Sequence, residues 1–213
     1  MDEIVPIRIE FGEDKSWDQL CGLPSEEITR NTAMSFDDEL KLYRVQSFGM
    51  EFMVNPCDRA IFCDDPRGKV LMLGKLKDFF RLAVLWYMSS AKDIPYTGRL
   101  VRPQDLKGGH RFVTGTHVLP ADRIAERFAT DKDGFIAHAR RYGAEVINDG
   151  YGDAAVRLYP LPRVPVTMIL WLADEEYPPR VDILFDSTCD LQLSLSDIVW
   201  AVAMMAALVM LED

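Results

Sequence analysis

Residues 161–186, LPRVPVTMILWLADEEYPPRVDILFD, constrain the fold of this chain more than any other stretch. Val166 to Leu172 carries a single hydroxyl, follows Pro165, and leads into three adjacent carboxylates, Asp174, Glu175 and Glu176. Tyr177-Pro178-Pro179 then marks a turn, and Val181 to Asp186 is a second strand-like run. In that run Val181, Ile183 and Phe185 share one face, and Asp182, Leu184 and Asp186 share the other. If the two runs pair, the carboxylates lie in the connecting loop. The prolines of the preceding segment, Pro160 to Pro165, suit an extended edge piece that feeds a strand but does not itself sit mid-sheet.

The second constraint is Ile198 to Leu211, an unbroken apolar run preceded by the capping-box pattern Ser194-Leu195-Ser196-Asp197. It is shorter than the roughly 20 residues a bilayer span needs, and no Lys or Arg flanks it. A helix apolar all round is a core helix, and any part left exposed becomes a face for a second copy. Leu73, Leu76, Phe79, Phe80, Ala83 and Tyr87 fall on one helical stripe within residues 73–90. Helices are also expected over 25–33, with Ser25 as N-cap, over 120–130 and over 135–142. Short strands are expected at 4–11, 43–47, 50–55, 60–63 and 154–159, with further short ones at 99–102 and 111–114.

These elements predict an α+β fold, in which a mixed or antiparallel sheet of short strands packs against several helices around the C-terminal one. A chain of 213 residues, 48% hydrophobic and 27% charged, suits one domain spanning 1–213 whose core needs no disulfide. Residues 1–20 form an acidic segment expected at the periphery.

The net charge is −10, and residues 1–40 hold eleven carboxylates against Arg8, Lys15 and Arg30. Such a surface repels phosphate backbones, which argues against nucleic acid and anionic membranes as partners. Cys21, Cys57, Cys63 and Cys189 lack framework spacing, and the acidic start lacks the features of a secretory signal, so reduced thiols in the cytoplasm are expected.

Familiar chemical motifs fail on spacing. Gly68 to Leu76 is one residue too long for a phosphate loop and puts Leu76 where a magnesium-binding hydroxyl belongs, so it reads as a strand end entering a helix. The turns at Asp131–Gly134 and Asn148–Gly150 put Ala129, and Glu145 with Ile147, at ligand positions a calcium loop needs to fill otherwise. No CxxC occurs, so no iron–sulfur, zinc or other cofactor site is evident. His110 and His117 flank a glycine-rich segment, and neither accompanies a nucleophile signature.

Two readings of the carboxylates stay open. Crowded together, Asp174, Glu176 and Asp186, with His110, can hold a hard cation or act as acid and base. Spread over an exposed hairpin, they serve solubility, with Asp182 or Asp186 paired to Arg163 or Arg180.

Several pieces of the sequence fall in the order of a known family: residues 25–54 from SEEITR to EFMV, 82–101 from LAVLWY to TGRLV, DLKGGHRF at 105–112, residues 152–186, and LSLSDIVWAV at 193–202. The chain resembles the bacterial and archaeal domain-of-unknown-function family 3786. The segment Leu-Pro-Arg-x-Pro, then Asp-Glu-Glu, then Ile-Leu-Phe-Asp is the most specific part. The resemblance implies no catalytic residues, only a loose tie to anaerobic one-carbon, redox or corrinoid metabolism, and this chain lacks the cluster-binding cysteines of fused members.

The resulting expectation is a binding or accessory module that contacts a protein partner or small ligand through Arg163, Trp171, Asp174, Glu175, Glu176 and Asp186. The alternatives are a metal-assisted hydrolase or transferase built on the carboxylates, and a structural homodimer joined through the C-terminal helix.

Overall fold

The two strand-like runs within residues 161–186 are neighbouring strands. In the computed structural model, which describes residues 12–112, 114 and 117–213, they lie in a five-stranded antiparallel sheet. Its strands are β5 (Leu100–Val101), β6 (Glu145–Ile147), β7 (Ala154–Leu161), β8 (Val164–Trp171) and β9 (Arg180–Asp186), in the order β5-β9-β8-β7-β6. A second antiparallel sheet holds β1 (Ser35–Asp37), β2 (Leu42–Ser47), β3 (Met50–Asn55) and β4 (Ala60–Cys63) in sequence order. The fold is α+β, and both sheets are antiparallel. The strand expected at 4–11 lies outside the described residues.

The helices are α1 (Gly12–Gly22), α2 (Ser25–Thr32), α3 (Lys77–Ser90), α4 (Ala121–Arg127), α5 (Lys132–Arg141), α6 (Cys189–Gln192) and α7 (Ser196–Val209). α7 is enclosed by α3 and the inner face of β7, with Ile198, Val202, Met205, Ala206 and Val209 at most 1% exposed. Burying a side chain of this size contributes roughly 1.5–3 kcal/mol, so this helix organises the core. Met204 and Leu208 are its half-buried apolar positions. Of the acidic segment expected at the periphery, residues 12–20 belong to α1, which lays Trp17 and Leu20 against α3 at 1% and 2% exposure while Asp14 and Asp18 face solvent.

Several local expectations give way to tertiary structure. Pro160 and Pro165 sit inside central strands, not at an edge. The β7–β8 register shifts between Leu158 and Leu161, and β9 pairs with β8 only from Val166 onward, so neither ring interrupts a ladder that needs its missing N–H. The carbonyls freed there go to the other sheet: Tyr159 O accepts from Phe48 N at 2.9 Å, and Pro160 O from Ser47 Oγ at 2.7 Å. Gly68–Lys75 is a π-helix running into α3, not a strand end. Gly109–Phe112 is 3-10 helical where a strand from 111 was expected.

The caps differ as well. Ser25 lies inside α2, with Pro24 as the N-cap. The capping box before α7 does not form: Leu195 is the N-cap, Ser194 Oγ accepts from Trp86 Nε1, and Asp197 pairs with Arg111.

Candidate binding groove on the outward sheet face

Side chains alternate along a strand, so strand register decides which residues share a face. Glu145, Arg157, Thr167 and Leu184 lie opposite one another across β6, β7, β8 and β9, and Ile147, Ala155, Ile169 and Asp182 form the next row. Trp171 opposite Arg180 closes the series. These residues form the second face of the sheet, where Ala155, Thr167 and Ile169 are buried and Glu145, Trp171 and Arg180 are exposed, while Val181, Ile183 and Phe185 face the core, as the alternation in the sequence indicates.

A groove of about 560 Å³ crosses this face. Ile169 and Leu184 floor it, Gly98 to Arg102 with Asp105 make one bank, and Tyr151 makes the other. Both banks are held by specific contacts. Gly152, at φ +56, presses its backbone against the floor so closely that a Cβ there would stand 2.6 Å from Ile169 Cγ2 and from the Leu170 carbonyl. Asp153 adds a backbone N–H to Leu170 O at 2.9 Å, and its carboxylate accepts from Leu172 N at 2.8 Å. That fixes Tyr151, itself 44% exposed, beside the groove.

The other bank hangs on Asp186. This carboxylate is 2% exposed and has no cationic partner among the described residues. It accepts from Thr97 N at 3.1 Å, Gly98 N at 2.6 Å, Thr188 N at 3.0 Å and Thr188 Oγ1 at 2.7 Å. Burial pushes its pKa up, and the donors from Thr188, Thr97 and Gly98 outweigh burial and hold it below the ordinary 3.8. The next residue along the bank, Arg99, is exposed, and its guanidinium makes no ion pair or hydrogen bond among the described residues. Arg102 on the same bank pairs with Asp105 at 3.2 Å.

Beyond the groove the same face carries a polar aromatic cluster. Tyr159 Oη donates to Glu145 Oε2 at 2.6 Å and meets Tyr96 Oη at 3.2 Å, and Arg157 stacks over the Tyr96 ring at 5.8 Å. Burial, followed by the Glu145 and Tyr96 contacts, raises the Tyr159 phenol well above its usual range. At the opposite end Arg180 lies 4.9 Å over the Trp171 ring, while Trp171 Nε1 donates to Asp182 Oδ2 at 3.0 Å.

The residues singled out from sequence are not gathered in one place. Arg163, in the β7–β8 turn, and Trp171, at the far end of β8, stand about 26 Å apart at the ordinary strand rise. Arg163 ties elements together: Nη2 donates to Asp93 Oδ1 at 2.7 Å and Arg30 O at 2.9 Å, and its backbone N–H donates to Tyr87 Oη at 3.1 Å. Tyr87 Oη in turn donates to Thr32 O at 2.8 Å. Asp174, Glu175 and Glu176 lie in the exposed β8–β9 loop, where Asp174 Oδ1 accepts from Glu176 N and Tyr177 N at 2.8 and 2.7 Å.

Asp186 is at the other end of β9 from that loop, so Asp174, Glu176 and Asp186 do not converge. Among the described residues no three acidic, histidine or cysteine side chains are placed to hold a metal ion, and His110 is exposed on its 3-10 turn. Trp171 and Asp186 are the two singled-out residues that belong to the groove's face, one at its end and one as its support. Arg99, Tyr151, Ile169 and Leu184 were not singled out from sequence. The glycine-rich character of 98–109 marked a loop there without saying what faces it.

The architecture is thus that of an α+β domain with an open groove along one face of its five-stranded sheet. The chain belongs to the family described as "Domain of unknown function (DUF3786)", whose model matches residues 25–208. No curated protein and no solved structure matches it. No helix among the described residues is long and apolar enough to cross a membrane.

Proposed function

We propose that this protein is a binding module whose outward sheet face takes a small organic acid: a ligand with an anionic group and an apolar or aromatic body. The observation that carries the reading is Arg99. Its guanidinium, which makes no ion pair or hydrogen bond among the described residues, lines a groove that Ile169 and Leu184 also line. Guanidinium recognises carboxylate or phosphate through paired N–H donors, and an apolar floor rewards the rest of such a ligand for leaving water. A chain with net charge −10 repels anions broadly, so a cation beside an apolar floor is what lets an anionic ligand settle in this groove.

The module has the accessory role expected from sequence, acting in the cytoplasm beside an enzyme that makes or consumes the acid. The tie to anaerobic one-carbon or redox metabolism belongs to the same proposal and rests on the family resemblance. The test is ligand-observed NMR with a panel of aromatic and aliphatic carboxylates and organic phosphates, against the wild-type chain and Arg99→Ala. Binders that weaken at least about tenfold in Arg99→Ala support the reading, since a hydrogen-bonded charge pair contributes about 1.5–3 kcal/mol. A panel without binders, or binders indifferent to Arg99→Ala, ends it.

A further inference from the structure

The four thiols fall into two chemically distinct pairs. Cys63 and Cys189 are buried, at 2% and 1% exposure, and burial raises the pKa of each, which leaves them protonated and inert. Cys21 and Cys57 are both exposed. They are 36 positions apart in sequence, yet the fold brings them side by side. Cys21, in the last turn of α1, points its Sγ at the Pro56 carbonyl at 3.7 Å, and Cys57 is the residue joined to that carbonyl.

Standard peptide geometry puts a carbonyl oxygen about 2.8 Å from the following Cα, so the Cys21 sulfur lies within about 6.5 Å of the Cys57 Cα. A disulfide needs its two sulfurs about 2.05 Å apart and its two α-carbons no more than about 6.8 Å apart, so closing the bond requires rotation of the side chains and movement of the exposed β3–β4 turn towards the end of α1.

Further contacts hold the two segments together beside the Cys21 thiol's own hydrogen bond to the Pro56 carbonyl. Arg59 bridges from the β3–β4 turn to Asp14 at 3.2 Å and Asp18 at 2.7 Å, on the face of α1 that leads to Cys21. The turn itself is fixed by Asp58 N donating to Asn55 Oδ1 at 3.1 Å and Asn55 Nδ2 donating to Asp58 Oδ2 at 2.7 Å. Cys57 is therefore presented from an ordered turn, and Cys21 from the end of a helix tied to it by Arg59.

We infer that Cys21 and Cys57 form a reversible disulfide that staples α1 to the β3–β4 hairpin when the chain meets a low-molecular-weight disulfide oxidant. The Cys21 thiolate attacks one sulfur of the oxidant, whose other sulfur leaves as a thiolate and takes up the proton that Cys21 lost. The Cys57 thiolate then attacks the Cys21 sulfur of the mixed disulfide, releasing the second half of the oxidant, which takes up the Cys57 proton. Two protein thiols become one disulfide, and the oxidant is reduced to two thiols. The bond is independent of the groove, which lies on the other sheet.

The test is to incubate the full chain with glutathione disulfide, block free thiols under native conditions, and analyse the product by mass spectrometry. The proposal expects a monomer lighter by two hydrogens, with tryptic peptides 16–30 and 45–59 joined. It expects Cys57→Ser to stop at a stable glutathione adduct on Cys21. It also expects the oxidised wild-type chain to melt roughly 5–10 °C higher, a rise reversed by dithiothreitol. Stable glutathione adducts on both cysteines of the wild-type chain, or disulfides only between chains, would overturn it.

Discussion

The α-carbons of Gly49 and Gly143 face each other so closely that neither position has room for a side chain. A Cβ on Gly49 would stand 2.9 Å from the Gly143 Cα, and one on Gly143 would stand 2.7 Å from the Gly49 Cα. Both residues are at φ +70, which costs a residue with a Cβ roughly 1–2 kcal/mol by itself. The contact joins the β2–β3 turn of one sheet to the connection between α5 and β6, a strand of the other. Gly49→Ala and Gly143→Ala should each destabilise the chain by more than about 2 kcal/mol in denaturant titrations, because conformational strain and backbone clash add. Gly150→Ala is the control. It has φ +79 with open space around it, so it should show only the conformational cost of about 1–2 kcal/mol.

Asp186 should matter for the groove without touching a ligand. Asp186→Asn exchanges one acceptor oxygen for a donor and leaves amides of Thr97, Gly98 or Thr188 unpaired in a buried site. A loss of roughly 2–4 kcal/mol is expected, with faster hydrogen exchange at Thr97 and Gly98. The folded carboxyl sits below 3.8, so the unfolded state binds more protons in the interval beneath that value. The stability Asp186 contributes is therefore complete above pH 3.8 and is lost as pH falls through its folded pKa. An unfolding curve for Asp186→Asn that keeps the wild-type acid dependence would contradict this account.

His138 gives a second pH dependence at milder acidity. Its Nε2–H donates to the Val209 carbonyl at the end of α7 at 2.9 Å, and its ring lies between Phe128 and Tyr142. Burial, then Arg127 and Arg141, hold its pKa below 6.5 against the opposing pull of the Val209 hydrogen bond and Asp213. A base whose pKa drops on folding binds more protons when unfolded, so stability falls as pH drops below 6.5 and levels off beneath the folded pKa. Denaturation midpoints compared at about pH 8 and pH 5.5 should show the decline. His138→Gln, which keeps a donor for Val209, should flatten it.

These sites also show what a sequence can disclose. Strands β2, β3, β4, β8 and β9 and helices α3 and α7 are legible because their patterns are local: turn residues bound each strand, and apolar periodicity marks each helix. Pairing is not local. Nothing around Pro160 announces that its carbonyl answers Ser47, 113 positions away, in the other sheet. The groove is hidden for the same reason, since Arg99, Tyr151, Ile169 and Leu184 come from four separate segments that only the register brings together. Asp186 stood out as a carboxylate ending a strand, but charge alone does not distinguish one aimed at a ligand from one caged by Thr97, Gly98 and Thr188. The three carboxylates at 174–176 were conspicuous because they are adjacent, and an exposed turn is where adjacent like charges are cheapest to keep.

How far the binding surface extends along the face can be decided at its two ends. Leu184 is half-buried on the groove floor, so Leu184→Asp should fold with a small loss of stability and abolish binding of any acid that Arg99 recognises, through charge repulsion and a polar floor. Trp171 lies on the same face, 39% exposed, under the Arg180 guanidinium and hydrogen-bonded to Asp182. Trp171→Ala removes an exposed cation–π contact of about 0.5–1 kcal/mol and should leave affinity for a small acid unchanged. A ligand long enough to reach the end of β8 would instead lose affinity in both variants. Isothermal titration with the best small acid and with a longer homologue separates the two cases, because only the longer one should respond to Trp171→Ala.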